Sequence, residues 1–285
     1  MSLASGVEPW VRKPAAAPLE PPLFLREVIA AAPPGIRVLD AGCGPGSWPY
    51  GERTDLRIVG FDVKFPPGPP ARAPHVAIFR GDLARLPLRA ASFDLTVCHY
   101  VLEHVGDLEP CCDELARVTR PGGTLYLSVP RAAAFDDRLY RFAGYFAKYG
   151  LLKLKKRLEH QQRFDEDQVL RRFESRGFEL EAMARVPAGF SWMNDPRTQP
   201  LQGAFTDALA WLHRATGVDL AKDANFVLTF RNTGIPGARR APVVRRVTHV
   251  CRRCGEHALV DPPRPWPTRW TCPWCGETNP FGRPR

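Results

Sequence analysis

Apolar residues along this chain switch between two periods, and the switches divide it into elements. Residues 36–41 read IRVLDA, an apolar run closed by an acid and a small residue. Residues 57–62, 75–80, 95–98 and 124–129 have the same character. Short apolar runs rich in branched side chains and bounded by Gly, Pro or Asp predict buried strands. Between them the period lengthens. Residues 23–32 and 108–119 carry apolar positions three or four apart and predict helices. Pro33-Pro34 ends the first, and Pro121-Gly122-Gly123 ends the second. One helix is expected to be poor: Pro49 and Gly51 fall just after the first strand, where a crossover helix belongs.

Strands alternating with helices imply right-handed crossovers and a mostly parallel sheet with helices on both faces. Beyond residue 130 the pattern changes. Residues 131–159 are predicted as a helical insertion with Leu139, Phe142, Phe146 and Tyr149 on one stripe, followed by Lys153, Lys155, Lys156 and Arg157. Asp165 and Gln168 form a capping pattern for a helix that ends at Gly177. Residues 178–186 and 225–231 have strand character, and 187–217 is an insertion containing Phe190, Trp192, Phe205 and Trp211.

The chemistry sits where strands end. In an open parallel sheet, ligands bind beyond the carboxyl ends of the strands. Asp40, Asp62, Asp82 and His99 all fall at such ends. Between Asp40 and Asp62 lies Gly42-Cys43-Gly44-Pro45-Gly46, where glycines allow a sharp turn and close backbone approach to a ligand. An acid at the second strand end suits the hydroxyls of a ribose. These segments occur in order: VLDAGCGPG at 38–46, RIVGFD at 57–62, Gly81-Asp82-Leu83, SFDLTVCHYVLEHV from Ser92, and ELARVTRPGGTLYLSVP from Glu114. With them the chain resembles the class I S-adenosylmethionine-dependent methyltransferases over residues 35–131, and more weakly over 160–178.

The resemblance implies a Rossmann-like α/β fold of about seven strands, with 178–186 and 225–231 as its antiparallel edge. It implies S-adenosylmethionine as cofactor. Asp40, Gly42, Gly44 and Gly46 would face the methionine and ribose portion, and Asp62 the ribose hydroxyls. Asp82 and Leu83 would lie against adenine, and His99 and Tyr100 would flank the sulfonium. His104, His99 and His160 are candidate bases if the acceptor is a hydroxyl, because histidine is readily poised near neutral pH. The (Asp/Asn)-Pro-Pro-aromatic loop of enzymes that methylate base amines is absent; that place reads His99-Tyr100-Val101-Leu102. Pro110-Cys111 falls in the following helix and reads as packing.

A second centre lies near the C-terminus. Cys251-x-x-Cys254 and Cys272-x-x-Cys275, each followed by a glycine, are separated by seventeen residues. Two such knuckles predict a four-thiolate zinc ribbon, with iron as a chemical alternative, structural because no coordination position stays open. A module this small needs the metal for its folding energy. The expected division is a flexible arm at 1–22, the methyltransferase domain at 23–235, and a basic linker with the ribbon at 236–285. The last segment has ten Arg and three acids, 10 − 3 = +7 of the chain's net +10. That charge keeps RNA open as an alternative substrate, gripped through phosphates. The aromatic and basic insertions favour a small or lipid-like acceptor, with peripheral membrane contact through 139–157. No run of about 18 apolar residues occurs, so no transmembrane span is expected. The absence of a secretory pattern suggests a cytoplasmic protein.

Overall fold

The computed structural model describes residues 22–64, 73–132, 134–139, 142, 161–188, 199–216, 218, 220–221, 223–237, 243–251, 257–260, 269–272 and 276–280. Helix α1 (Leu25–Ala31) leads into strand β1 (Arg37–Ala41). Strands β2 (Arg57–Asp62), β3 (Val76–Arg80) and β4 (Phe93–His99) follow, then helix α2 (Leu108–Val118) and β5 (Thr119–Pro130). Helix α3 (Glu166–Glu174), β6 (Phe178–Val186), helix α4 (Gln199–Thr216) and β7 (Asn225–Asn232) come next. The last strands are β8 (Val244–Val250), β9 (His257–Val260), β10 (Arg269–Thr271) and β11 (Thr278–Pro280).

The main sheet runs β3-β2-β1-β4-β5-β7-β6-β8-β9. The first five strands in that order are mutually parallel, and β7 lies antiparallel between β5 and β6. The seven expected strands are therefore present, but among the described residues the sheet has nine. Strand β8 pairs parallel with β6, from Ala182↔Val244 to Arg185↔Val247, and β9 pairs antiparallel with β8. Two strands of the segment expected to stand apart thus extend the sheet, while β10 and β11 pair separately. The physical reason is an open edge: β6 would otherwise present unpaired N–H and C=O groups. Glu166 at the start of α3 pins the junction, pairing with Arg185 of β6 and Arg245 of β8. Burial opposes its charge, but the two guanidiniums outweigh it and hold the carboxyl below its ordinary range.

Other departures are local. Where a crossover helix was doubtful, between β1 and β2, only a 3-10 turn (Tyr50–Glu52) forms. Trp48 and Tyr50 fill the space, packed edge to face 4.9 Å apart. Pro121-Gly122-Gly123 does not leave the sheet after α2. It forms an irregularity inside β5, where the register steps from Phe93↔Thr119 to Leu95↔Thr124. Asp165 caps α3 as expected, its Oδ1 accepting from Gln168 N at 2.8 Å. Helices α2 and α3 lie side by side, joined by Arg172 and Arg176 to Glu109 and by Arg176 to Asp113.

Of the insertion at 131–159, residues 135–139 are helical and Phe142 is exposed. Phe146, Tyr149 and the Lys153–Arg157 cluster lie outside the described residues, as do Phe190, Trp192 and the N-terminal arm. The insertion at 187–217 contains α4, whose Phe205 and Leu209 pack with Phe135 and Leu139 around Ala134, Ala188 and Ala224. Among the described residues no helix is long and apolar enough to cross a membrane.

Candidate cofactor site

The carboxyl ends of β1 to β4 converge on a cavity of about 530 Å³. Its walls include Gly42, Phe61, Asp62, Gly81, Asp82, Leu83, Tyr100 and His104. The glycine loop is tied to the end of β2: Gly42 N and Cys43 N both donate to Phe61 O, at 2.6 and 3.1 Å. Asp62 completes the tie. Its Oδ2 accepts from Gly44 N at 2.7 Å and its Oδ1 from Lys64 N at 2.9 Å. Each carboxylate oxygen can still accept another hydrogen bond. Asp62 therefore holds the loop and retains capacity for a ligand.

Gly42 has φ +80, and a Cβ there would stand 2.3 Å from Val101 Cγ2. The close approach brings the loop against the turn that follows β4. Gly42→Ala is expected to push Val101 into the cavity and strain the backbone. Affinity for S-adenosylhomocysteine should fall about tenfold or more, the strain and overpacking each costing on the order of 1–3 kcal/mol. Titration calorimetry on the folded variant checks this, and wild-type affinity would remove Gly42 from the site.

Asp40 faces inward instead. It is fully buried, and its oxygens accept from Ser47 N (3.0 Å), Ser47 Oγ (2.7 Å) and Tyr50 OH (2.6 Å). Burial pushes its carboxyl up, while these hydrogen bonds pull the other way. Its place is to brace the loop from behind, and it is not one of the cavity walls. Gly44 and Gly46 shape the same loop without lining the cavity. Asp82 combines two positions. Its Oδ1 caps the following turn by accepting from Ala84 N at 2.9 Å, yet the residue is exposed at the cavity wall. Leu83 is buried beside it.

At the end of β4, Ser128 organises the two aromatic residues. His99 Nδ1 lies 2.7 Å from Ser128 Oγ, and Tyr100 N donates to Ser128 O at 3.1 Å. Burial pushes the His99 imidazole down to about 4, so the ring is neutral at pH 7. His99 is not a cavity wall, whereas His104 is one and its side chain is about half exposed. His160 lies outside the described residues. Tyr100 adopts φ +54, a left-handed conformation that costs a non-glycine residue about 1–3 kcal/mol. Its hydroxyl is buried with no hydrogen-bond partner among the described residues. Cys111 also lines the cavity, but burial pushes its thiol up to about 11, which leaves it protonated and not nucleophilic.

Two participants escaped the sequence reading. Ser128 gives no motif signal. Glu103 is visible only as a neighbour of His104, and its burial comes from the tertiary fold.

The family model for a methyltransferase domain matches residues 17–183. The chain belongs to this methyltransferase family. A probable S-adenosylmethionine-dependent methyltransferase of Mycolicibacterium smegmatis is 40% identical over 110 residues, 36% of this chain and 41% of that protein. A demethylmenaquinone methyltransferase of Beutenbergia cavernae is 38% identical over 121 residues, 39% and 48% of the two chains. A malonyl-[acyl-carrier protein] O-methyltransferase of Erwinia billingiae is 37% identical over 106 residues, 36% and 42%. The chain thus spans less than half the length of these curated relatives. A solved S-adenosylmethionine-dependent methyltransferase of Methanosarcina mazei aligns over 74% of this chain and 98% of its own, at TM-score 0.49 and 16% identity.

Proposed function

We propose that this protein transfers a methyl group from S-adenosylmethionine to a small-molecule or lipid-like acceptor. The observation that supports this most is the cavity at the strand ends, walled by one acid from β2, a Gly-Asp-Leu turn after β3, and Tyr100 and His104 after β4. When bound, the cofactor supplies a methyl already activated on sulfur. The chain's own work is to hold, align and dry the site. Asp62 would accept from the ribose hydroxyls through its remaining lone pairs. Phe61, Leu83 and Ala84 offer an apolar wall for the base, and Asp82 keeps one oxygen for an amine. Gly42 and Tyr100 border the end where the methyl departs. His104 is the histidine placed to meet an acceptor's proton.

The acceptor class rests on the apolar cluster around Ala134, Ala188 and Ala224. Ala134 lies just past the end of β5, Ala188 just past β6, and Ala224 just before β7. With β7 antiparallel to both neighbours, all three positions fall on the edge of the sheet that carries the cavity. Aromatic and aliphatic side chains from residues 135–139 and α4 close over them. Such a cover suits a hydrophobic molecule better than a polynucleotide, which needs an open charged groove. The substrates for which two relatives are named, demethylmenaquinone and malonyl-[acyl-carrier protein], fit the same class. The test uses methyl-labelled cofactor with a bacterial lipid extract and, separately, total RNA. Label is expected in the organic phase. Label in RNA, with binding that weakens steeply as salt rises, would replace this reading.

We further propose that Cys251, Cys254, Cys272 and Cys275 hold a structural zinc ion. Cys254 and Cys275 lie outside the described residues. The other two fit a metal site. Cys251 and Cys272 are buried at 0% and 1% exposure. Gly276 N donates to Cys272 O at 3.0 Å, and Gly276 has φ +72, which forms the tight knuckle turn. Asn279 Nδ2 approaches Cys251 Sγ at 3.4 Å, a donor aimed at sulfur that suits a thiolate.

A further inference from the structure

Glu103 is a buried acid next to His104, a wall of the cavity, and takes no part in any pairing described above. It sits in the 3-10 turn Leu102–His104, directly after β4, with 2% of its surface exposed. Its Oε2 is buried and has no hydrogen-bond partner among the described residues. Its Oε1 lies 3.9 Å from His104 Nε2, beyond hydrogen-bond distance. Among the described residues no guanidinium or ammonium is paired with it. The titratable groups that interact with it electrostatically are Cys98 of β4, Tyr100 just past β4 and His104 of its own turn, and Asp136 in turn acts on Tyr100. The turn is held rigidly: Glu103 O accepts from Gln161 N and Gln162 N, and the Gln162 side chain donates to Val105 O and Gly106 O. Burial pushes the Glu103 carboxyl up to about 8 against a backbone hydrogen bond that pulls the other way, which keeps it mostly neutral at pH 7.

An acid buried with one oxygen unsatisfied is costly unless something satisfies it. Tyr100 and His104 flank it and both line the cavity, so whatever charge enters the cavity acts on Glu103 across a poorly solvated wall. The cofactor proposed above brings one permanent positive charge, on sulfur, and loses it when the methyl leaves.

We propose that Glu103 is the buried counter-charge of the sulfonium: it releases a proton when S-adenosylmethionine binds and takes one up when the methyl is transferred. This rests on the cofactor reading. In the transfer, the carbon–sulfur bond breaks and its electron pair stays on sulfur. The acceptor's lone pair forms the new bond to carbon. His104 takes the acceptor's proton and, on closing its 3.9 Å separation from Glu103 Oε1, passes it to that carboxylate. A cation and an anion vanish together, so the buried site keeps the same net charge before and after. That spares the reaction the cost of creating an isolated charge away from water. Glu103 acts through His104 and is a positioning residue for charge.

The test needs no acceptor. Proton release on binding is measured with the full chain by calorimetry at pH 7 in two buffers of different ionisation enthalpy. S-adenosylmethionine should release roughly nine-tenths of a proton more than S-adenosylhomocysteine, which lacks the sulfonium charge; the figure follows from a group titrating near 8. Sinefungin, which carries an ammonium near the sulfonium position, should behave like S-adenosylmethionine in the wild-type protein. In Glu103→Gln the difference between the two cofactor forms should shrink to what the ligands' own amino groups contribute, while S-adenosylhomocysteine still binds. In the wild-type chain the affinity ratio between the two forms should rise with pH up to about 8, and in the variant it should follow the ligands alone. Equal proton counts for two ligands that both bind the wild-type chain would overturn the proposal. Failure of both ligands to bind would instead overturn the cofactor assignment, so the two readings fail separately.

Discussion

Asp62→Ala is expected to weaken binding of S-adenosylhomocysteine by roughly 2–3 kcal/mol, about 30- to 150-fold. Two losses combine. The ribose hydroxyls would lose a charged acceptor. The glycine loop would also lose its strut, because Asp62 accepts from Gly44 N and Lys64 N at once. Those backbone groups can turn to water only by moving the loop off the end of β2. Asp62→Asn separates the two contributions. It keeps the shape and one carbonyl oxygen but gives up the charge, so its deficit should be smaller. Calorimetry on both variants reads the affinity, and a melting curve confirms that each is folded. An unchanged dissociation constant in folded Asp62→Ala would end the ribose assignment.

Removing the metal should have the larger structural effect, confined to one end of the sheet. The purified chain is expected to carry one zinc ion. Structural zinc sites in small modules contribute about 10–16 kcal/mol of apparent folding free energy at pH 7. Cys272→Ser or chelation should therefore unfold the β10–β11 hairpin outright. The structure adds where unfolding stops. Cys251 follows directly on β8, so the outer strands β8 and β9 should loosen with the hairpin. Glu166, Arg185 and Arg245 oppose that spread at the junction with β6. The cofactor cavity lies at β1 to β4, separated from β8 by β5, β7 and β6. S-adenosylhomocysteine should still bind. Hydrogen exchange would read the pattern as lost protection at 244–280 with retained protection at β1 to β5. A full complement of metal-free thiols, or a pair of disulfides, would overturn the zinc assignment.

The local patterns carried well from sequence to structure. Residues 57–62 and 178–186 form strands with the expected limits, because an apolar run bounded by turn residues is specified within itself. The weak helix after β1 was equally legible, since Pro49 and Gly51 remove a donor and add backbone entropy wherever the chain goes. The acids at strand ends followed from the same local reading. Asp62 and Asp82 do reach one cavity.

What only the tertiary structure decided involves partners distant in sequence. Strand β8 could have paired within its own module or with any open edge; the exposed flank of β6 and the carboxylate of Glu166 selected the sheet. Asp40 and Asp62 look alike as strand-end acids. Asp40 points into the core because Ser47 and Tyr50, brought back by the shortened loop, supply the donors that make its burial tolerable. Glu103 shows the limit most clearly. In sequence it is an ordinary acid beside a histidine. In the fold its side chain is buried, and burial raises its carboxyl to about 8. Burial is a sum over non-local neighbours, and no pattern along the chain contains that sum.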